Sequence, residues 1–315
     1  MIKADRLTMY YGPVLALDNA SFSVASGEVV GLLGPNGAGK STAMRILTTY
    51  LYPTSGTAVV NNFDVKEQPL EVRKSIGYLP ETPPLYLEME VRDYLNFVGS
   101  ARGLAGSLLK KRIDWALEQC GLVPVYRSLI AELSKGYRQR TALAQALLHD
   151  PDVIILDEPT SGLDPHQILE IRQLIRRLAQ DKTIILSTHI LSEAEAVADR
   201  IVIISRGRIV ADGTAAQLRH QATDMRQISL HIKAPQADVL RLLEAEAGIE
   251  KVTLEAEQDE VLRLMIQTRS ESDLSARIGH LVWEKNWEVQ QLQQVSFSLE
   301  DTFLALTEAE EGAAR

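Results

Sequence analysis

One stretch constrains this chain more than any other. Val29 to Leu33 is a short apolar run, and Gly34-Pro35-Asn36-Gly37-Ala38-Gly39-Lys40-Ser41 follows it directly. The eight residues match the pattern G-x-x-x-x-G-K-[ST], a glycine-rich turn between a strand and a helix. Glycines let backbone N–H groups converge on a phosphate without Cβ obstruction. The helix opening near Lys40 turns its positive dipole end toward the same charge. Lys40 adds a cation for the β- and γ-phosphates, and the Ser41 hydroxyl suits Mg²⁺. The expectation is a nucleotide site on an α/β scaffold.

The rest of the first two-thirds agrees with that scaffold. Apolar runs over 28–33, 153–156, 183–187 and 200–204 show no alternation, as expected of strands buried on both faces of a mostly parallel sheet. Between 91 and 148 the pattern is helical, with apolar residues three and four apart and Gly121 placed as a helix C-terminal glycine. This reads as a helical insertion in the sheet.

The run Val153-Ile154-Ile155-Leu156 ends in Asp157-Glu158. Carboxylates at the end of a buried strand lie at the sheet edge where open α/β folds bind ligands. Asp157 suits Mg²⁺, through its water shell, and Glu158 suits polarisation of an attacking water as general base. His189 follows the run 183–187 at the same edge, where it can reach a γ-phosphate.

Beyond about residue 226 the character changes. Alternating strands are expected over 227–233 and 260–268, helices over 236–247 and 273–286, and a third strand over 287–295. A short closing helix over 299–306 and an acidic, frayed tail over 308–315 complete the reading. This order fits a small α+β sandwich of ferredoxin-like shape. The domain expectation is therefore a nucleotide-binding domain over 1–222 with a helical subdomain at about 91–150, an accessory domain over 226–307, and the tail.

Composition narrows the function classes. The 315 residues carry 33 Lys and Arg against 42 Asp and Glu, a net charge of −9, which gives no electrostatic pull toward nucleic acid. The single cysteine, Cys120, excludes an internal disulfide and reads as a small buried hydrophobe. No run approaches the ~18 apolar residues that span a bilayer. The opening Met1-Ile2-Lys3-Ala4-Asp5-Arg6 has no apolar core, so a cytosolic chain without a signal peptide is expected. Lys110-Lys111-Arg112 reads as a solvated helix face. Trp283 and Trp287, four apart, read as core or a helix–strand junction.

Several segments together resemble the ATP-binding-cassette (ABC) ATPases. In order, they are the phosphate loop, Leu133-Ser134-Lys135-Gly136-Tyr137, Asp157-Glu158, Ser161-Gly162-Leu163-Asp164 and His189. The resemblance covers roughly residues 1 to 220. Ile76-Gly77-Tyr78-Leu79-Pro80-Glu81 and the stretch 133–140 bring the chain nearer to the ATPase subunits of ABC-2-type exporters, especially the gliding-motility-type subgroup.

The resemblance implies a P-loop NTPase cassette, a mixed sheet with a helical insertion, followed by a small α+β domain. It implies ATP and Mg²⁺, with Tyr11 stacked on adenine and the loop Gly34, Pro35, Asn36, Gly37, Ala38, Gly39, Lys40, Ser41 and Thr42 around the phosphates. Glu158, His189 and Lys40 would be catalytic, and Ser41, Asp157 and Glu81 would serve the metal. Two cassettes, identical or different, would pack head to tail, with Ser134 and Gly136 on the partner's γ-phosphate and Asp164 at the seam. A membrane-spanning permease would hold the motor at the cytoplasmic face of the inner membrane, and nucleic acid would not be a partner. Two departures stand out: Glu81 occupies a position where the family has Gln, and Lys135 and Tyr137 stand where it has Gly and Gln. A non-transport ABC ATPase of ribosome or DNA, and a nucleotide-gated regulator with negligible turnover, stay open as alternatives.

Overall fold

The computed structural model describes residues 1–221, 226–258, 260–268, 274–295 and 303. It divides between Ala215 and Ala216 into two compact units.

The first unit opens with β1 (Ile2–Tyr11), β2 (Val14–Val24), β3 (Val29–Leu33), α1 (Lys40–Leu47), β4 (Ser55–Val60), β5 (Phe63–Asp64), α2 (Pro69–Ser75) and β6 (Ile76–Leu79). Three helices follow, α3 (Val91–Ala101), α4 (Gly106–Gln119) and α5 (Lys135–Leu147). The unit closes with β7 (Val153–Asp157), α6 (Pro165–Leu178), β8 (Thr183–Thr188), α7 (Leu191–Val197), β9 (Arg200–Ser205) and β10 (Arg208–Gly213).

Six strands form the central sheet in the order β10-β9-β3-β8-β7-β6, parallel except for the antiparallel edge strand β10. Every residue of β3, β7 and β8 is buried, because both faces of the sheet are covered. Alternate residues serve different cores. Ile154, Leu156, Ile184 and Leu186 face a core shared with α3, α4, α5 and α6. Val153, Ile155, Ile185 and Leu32 face another, shared with α1 and a second sheet. This two-sided burial is why the runs read as continuous apolar stretches.

That second sheet, antiparallel in the order β2-β1-β4-β5, has no counterpart in the sequence expectations. The pairing of β1 with β2 shifts register between Ala4 and Leu7, beside Arg6 at φ 49°. A bulge of this kind moves later side chains to the other face and erases the period of two.

Register fixes the functional edge. Leu33 pairs with Thr188, Asp157 with Ser187, and Leu79 with Leu156. The chain therefore leaves β3, β8, β7 and β6 at one level, carrying Gly34, His189, Glu158 and Pro80-Glu81.

One side chain of this unit departs from expectation and another meets it. Arg112 is not on a solvated face: its guanidinium donates to the carbonyls of Leu147 and Leu148 at 2.8 and 2.9 Å and stacks over Trp115. It caps the last turn of α5, where carbonyls lack helical partners. Cys120 is 2% exposed, and burial pushes its thiol up to about 12, as suits a packing residue.

The second unit comprises α8 (Ala215–Gln221), which begins at the boundary, then β11 (Arg226–Lys233), α9 (Gln236–Glu244), β12 (Ile249–Gln258), β13 (Val261–Thr268), α10 (Leu274–Glu284) and β14 (Glu288–Val295). Its antiparallel sheet runs β12-β13-β11-β14, the strand order of a ferredoxin-like sandwich. Ile228, Leu230, Ile232, Leu262, Leu264 and Ile266 pack against Val239 and Leu243 of α9 and Leu274, Ile278 and Val282 of α10. Strand β12 was not expected, since an edge strand so largely exposed keeps only a faint apolar pattern. Trp287 packs against this core, but Trp283 is 75% exposed. One residue past Val282, Trp283 falls off the stripe that α10 buries. The closing helix expected over 299–306 lies outside the described residues except for Phe303, and the tail over 308–315 lies wholly outside them.

Candidate nucleotide site

The loop between β3 and α1 is built on two backbone demands. Gly39 has φ 108°, and a Cβ there would stand 2.6 Å from the Ala16 carbonyl oxygen, so both conformation and space require glycine. Gly37 has φ 80° but faces nothing within 4 Å, which leaves the outer side of the loop open. Gly39 offers α1 no side-chain cap. The first N–H groups of a helix lack intrahelical partners, so α1 presents them bare to an anion.

Lys40, 5% exposed, lies across the base of the loop. Its ammonium donates to the carbonyls of Gly34 and Pro35 at 2.8 and 3.2 Å and pairs with Glu158 Oε1 at 3.3 Å. The other oxygen of Glu158 meets His189 Nδ1 at 2.9 Å. Glu158 adopts φ 49°, a left-handed conformation that bulky residues seldom take. Its N–H, donated to Ser187 Oγ at 2.9 Å, helps to hold that turn. Strain held by surrounding structure in this way concentrates at functional sites.

Beside it, Asp157 Oδ1 accepts from Ser41 Oγ at 3.2 Å and from Ser187 Oγ at 2.6 Å. Tyr78 is pushed up to about 12, by burial first and by the Asp157 charge second. Ser41 and Asp157 give a hard oxygen donor set that fits Mg²⁺, an ion that keeps water and phosphate oxygens as its remaining ligands. Among the described residues no group of three or more His, Cys, Asp or Glu could hold a metal by itself. An ion here would therefore depend on the nucleotide's own oxygens.

Asn36, Gly37, Ala38, Gly39, Lys40, Ser41 and Thr42 line a cavity of about 450 Å³ together with Glu81, Glu158, Ser161, His189 and Ala16. Gly34, Pro35 and Asp157 are not among the lining residues; they act on it through Lys40, held by the two carbonyls, and Ser41, held by the carboxylate. Tyr11, Ser134, Gly136 and Asp164 are not among the lining residues. Tyr11 ends β1 and is 40% exposed. Ser134 caps α5, accepting from Tyr137 N, and Asp164 caps α6, accepting from Gln167 N at 2.9 Å. These two helix starts touch each other: a Cβ on Gly136 would stand 2.5 Å from the Gln167 amide, and one on Gly162 would collide with Lys135 Nζ.

Sequence reasoning missed Ser187, which holds both acids, and Gln139, buried and donating to the Pro159 carbonyl at 3.2 Å. The available signal for Ser187 was polarity directly after the apolar run Ile184-Ile185-Leu186.

A family model described as "ABC transporter" matches residues 17–161, and one described as an AAA domain matches 129–194. The uncharacterized ABC transporter ATP-binding protein YxlF of Bacillus subtilis is 40% identical over 221 residues, 70% of this chain and 73% of that protein. The chain belongs to the ABC transporter ATP-binding protein family. The likeness extends through the second unit in the daunorubicin/doxorubicin resistance ATP-binding protein DrrA of Streptomyces peucetius. That protein is 33% identical over 314 residues, 97% of this chain and 92% of its own length. The probable multidrug ABC transporter ATP-binding protein YbhF of Escherichia coli is 39% identical over 228 residues, which span only 39% of that longer protein. Among solved structures, an ATP-binding subunit of an ABC transporter superposes with a TM-score of 0.65 at 33% identity, over 70% of this chain and 92% of its own. The ATP-binding cassette MJ0796, in a dimeric post-hydrolysis state bound to ADP and Pi, gives a TM-score of 0.63 at 26% identity, over 68% of this chain and 98% of its own. These likenesses agree with a P-loop cassette fold for the first unit.

Proposed function

We propose that this chain is the ATP-hydrolysing motor subunit of an ABC-2-type exporter. The observation that carries the reading is the placement of Glu158, one oxygen on Lys40 and the other on His189, at the mouth of the glycine loop. A polyanion entering the loop competes for Lys40 and draws it from Glu158. The carboxylate is then free to orient a water for in-line attack on the γ-phosphorus. As the new P–O bond forms, the bond to the β–γ bridging oxygen breaks, the water proton passes to Glu158, and ADP and phosphate leave. His189 holds the base on one side through Nδ1, which leaves its other ring nitrogen for a γ-phosphate contact. Ser41, Asp157 and Glu81 would hold Mg²⁺, which would supply charge neutralisation to the phosphates.

Ser134, Gly136 and Asp164 lie outside the cavity of their own chain, which supports their use across a head-to-tail dimer, of identical or different cassettes. There the start of α5 would meet the partner's γ-phosphate and Tyr11 its own adenine. The dimer would close on ATP and open after hydrolysis, with the γ-phosphate supplying the contacts that differ between the two states. Among the described residues no helix is long and apolar enough to cross a membrane. Export would therefore need a separate permease, docked near Glu81 and the helices over 91–148, with the motor peripheral at the cytoplasmic face of the inner membrane. Relatives named for doxorubicin resistance support the export direction.

The test is Glu158→Gln, which keeps the cavity and removes the base. It should abolish turnover and accumulate an ATP-bound dimer in size exclusion with light scattering. A variant that stays monomeric in saturating Mg·ATP counts against the shared site. Purification from native membranes in mild detergent should bring down a stoichiometric multi-span protein. Ribosomal or DNA-repair partners alone would favour the non-transport reading.

A further inference from the structure

The ends of β7 and β8 are tied together a second time, by a carboxylate that the hydrolytic step does not use. Glu193, in the first turn of α7, is 5% exposed. Its Oε2 accepts from Thr160 Oγ1 at 2.6 Å and from Thr188 Oγ1 at 2.9 Å. Both threonines are buried. Thr188 precedes His189, accepts from Ile190 N at 3.0 Å on its hydroxyl, and accepts from Gly34 N at 3.3 Å on its carbonyl. Thr160 is shared by two successive turns, closed by Ser161 N to Glu158 O at 3.1 Å and Leu163 N to Thr160 O at 3.2 Å. One oxygen thus joins the backbone that carries His189 to the backbone that carries Glu158 and leads to Asp164.

Stability gives a poor reason for this arrangement. Replacing a buried hydrogen-bonded polar cluster by apolar groups of the same shape is often neutral or stabilising. Valine and leucine would fill these positions without a carboxylate to desolvate. What apolar groups cannot supply is a fixed direction, and both segments held here must keep their orientation when Lys40 leaves Glu158.

We propose that Glu193 is a positioning residue for phosphoryl transfer, locking the His189 segment to the 158–164 segment so that they respond to nucleotide as one body. The proposal rests on the ATPase reading above. Glu193 is not among the residues lining the cavity, so its loss should act on kcat and leave ground-state binding nearly untouched.

The experiment is steady-state ATP hydrolysis by the full chain, expressed per titrated nucleotide site, with melting temperature recorded in parallel. Glu193→Ala should lower kcat by about 10–100-fold, the scale on which small misplacements of reacting groups act, with KM for ATP within about twofold. Glu193→Gln, whose amide oxygen accepts both hydroxyls, should return kcat to within about fivefold of wild type. Thr160→Val and Thr188→Val, near-isosteric and testable even if Glu193→Ala fails to fold, should each lower kcat. Added to Glu193→Ala, neither should lower it further, because all three act through one oxygen. Undiminished kcat per site with only a lower melting temperature would overturn the role, as would losses that multiply. A wild-type chain without turnover, alone or with its membrane partner, would overturn the ATPase reading and this role with it. Wild-type turnover with undiminished Glu193→Ala turnover would overturn this role alone.

Discussion

Replacing Lys40 by methionine keeps most of the side-chain bulk and removes its charge. In the protein without nucleotide this strips a cation 3.3 Å from Glu158 Oε1 and a donor from the carbonyls of Gly34 and Pro35. The two side chains are 6% and 8% exposed, so bulk water cannot take the place of the lost partner. Removing one member of a buried pair costs about 3–5 kcal/mol. His189 remains 2.9 Å from the other carboxylate oxygen, which favours the lower end, about 3 kcal/mol. In a folded unit of this size each kcal/mol moves the midpoint by about 2–4 °C, so Lys40→Met should melt about 6–12 °C lower. Glu158→Gln keeps an acceptor for Lys40 and should cost about 1 kcal/mol. The double variant buries no unpaired charge and should cost about 2 kcal/mol, against about 4 for the sum of the singles. Differential scanning fluorimetry of the four proteins reads this directly. Mg·ATP at a hundredfold excess over Kd should raise wild-type stability by about 2.7 kcal/mol and leave Lys40→Met unmoved. Singles that add to within about 0.5 kcal/mol would show that Lys40 and Glu158 are not coupled and refute the pairing on which the mechanism starts.

Three further outcomes are expected. Glu81→Gln keeps a side-chain oxygen for the metal and removes one negative charge facing the phosphates, so it should hold or raise kcat and lower KM for ATP; a near-total loss would show that the metal needs the carboxylate charge itself. Gly77→Ala should cost about 1–3 kcal/mol by overpacking, because its Cβ would collide with the Ala146 carbonyl oxygen and stand 3.0 Å from Pro151 Cγ; an unchanged melting curve would refute that packing of β6 on α5. His149 is pushed down to about 4 by burial first and the Arg102 charge next, with Nε2 on the Ile76 carbonyl at 2.9 Å. An unfolded histidine titrates near about 6.5. Between those values the unfolded chain binds the extra proton, so stability falls as pH falls from about 6.5 toward 4. His149→Asn should flatten that limb of the melting profile, and an unaltered slope would remove His149 as its cause.

The sequence by itself determined the parts of this protein that are local. Glycine spacing marked the loop over 34–39, because left-handed φ values and close backbone approach admit few other residues. Apolar runs without alternation marked β3, β7 and β8, because strands covered on both faces bury successive residues alike. The acids that end β7 were legible for the same reason, as polar residues that break an apolar run. The antiparallel strands β1 and β2 were not legible, since a bulge at Arg6 breaks their period, nor was β12, an exposed edge.

Tertiary structure alone decided what depends on register. Only the pairing of Leu33 with Thr188 and of Asp157 with Ser187 puts Lys40 and His189 on opposite oxygens of Glu158. Only the meeting of the β7 and β8 ends brings Ser187 onto both acids and Glu193 onto Thr160 and Thr188, although they stand 30 and 36 residues from Asp157. Chain order fixes which residue types are available. Distances between strands are set by hydrogen-bond ladders and by two cores pressing on one sheet, and no window of sequence contains them.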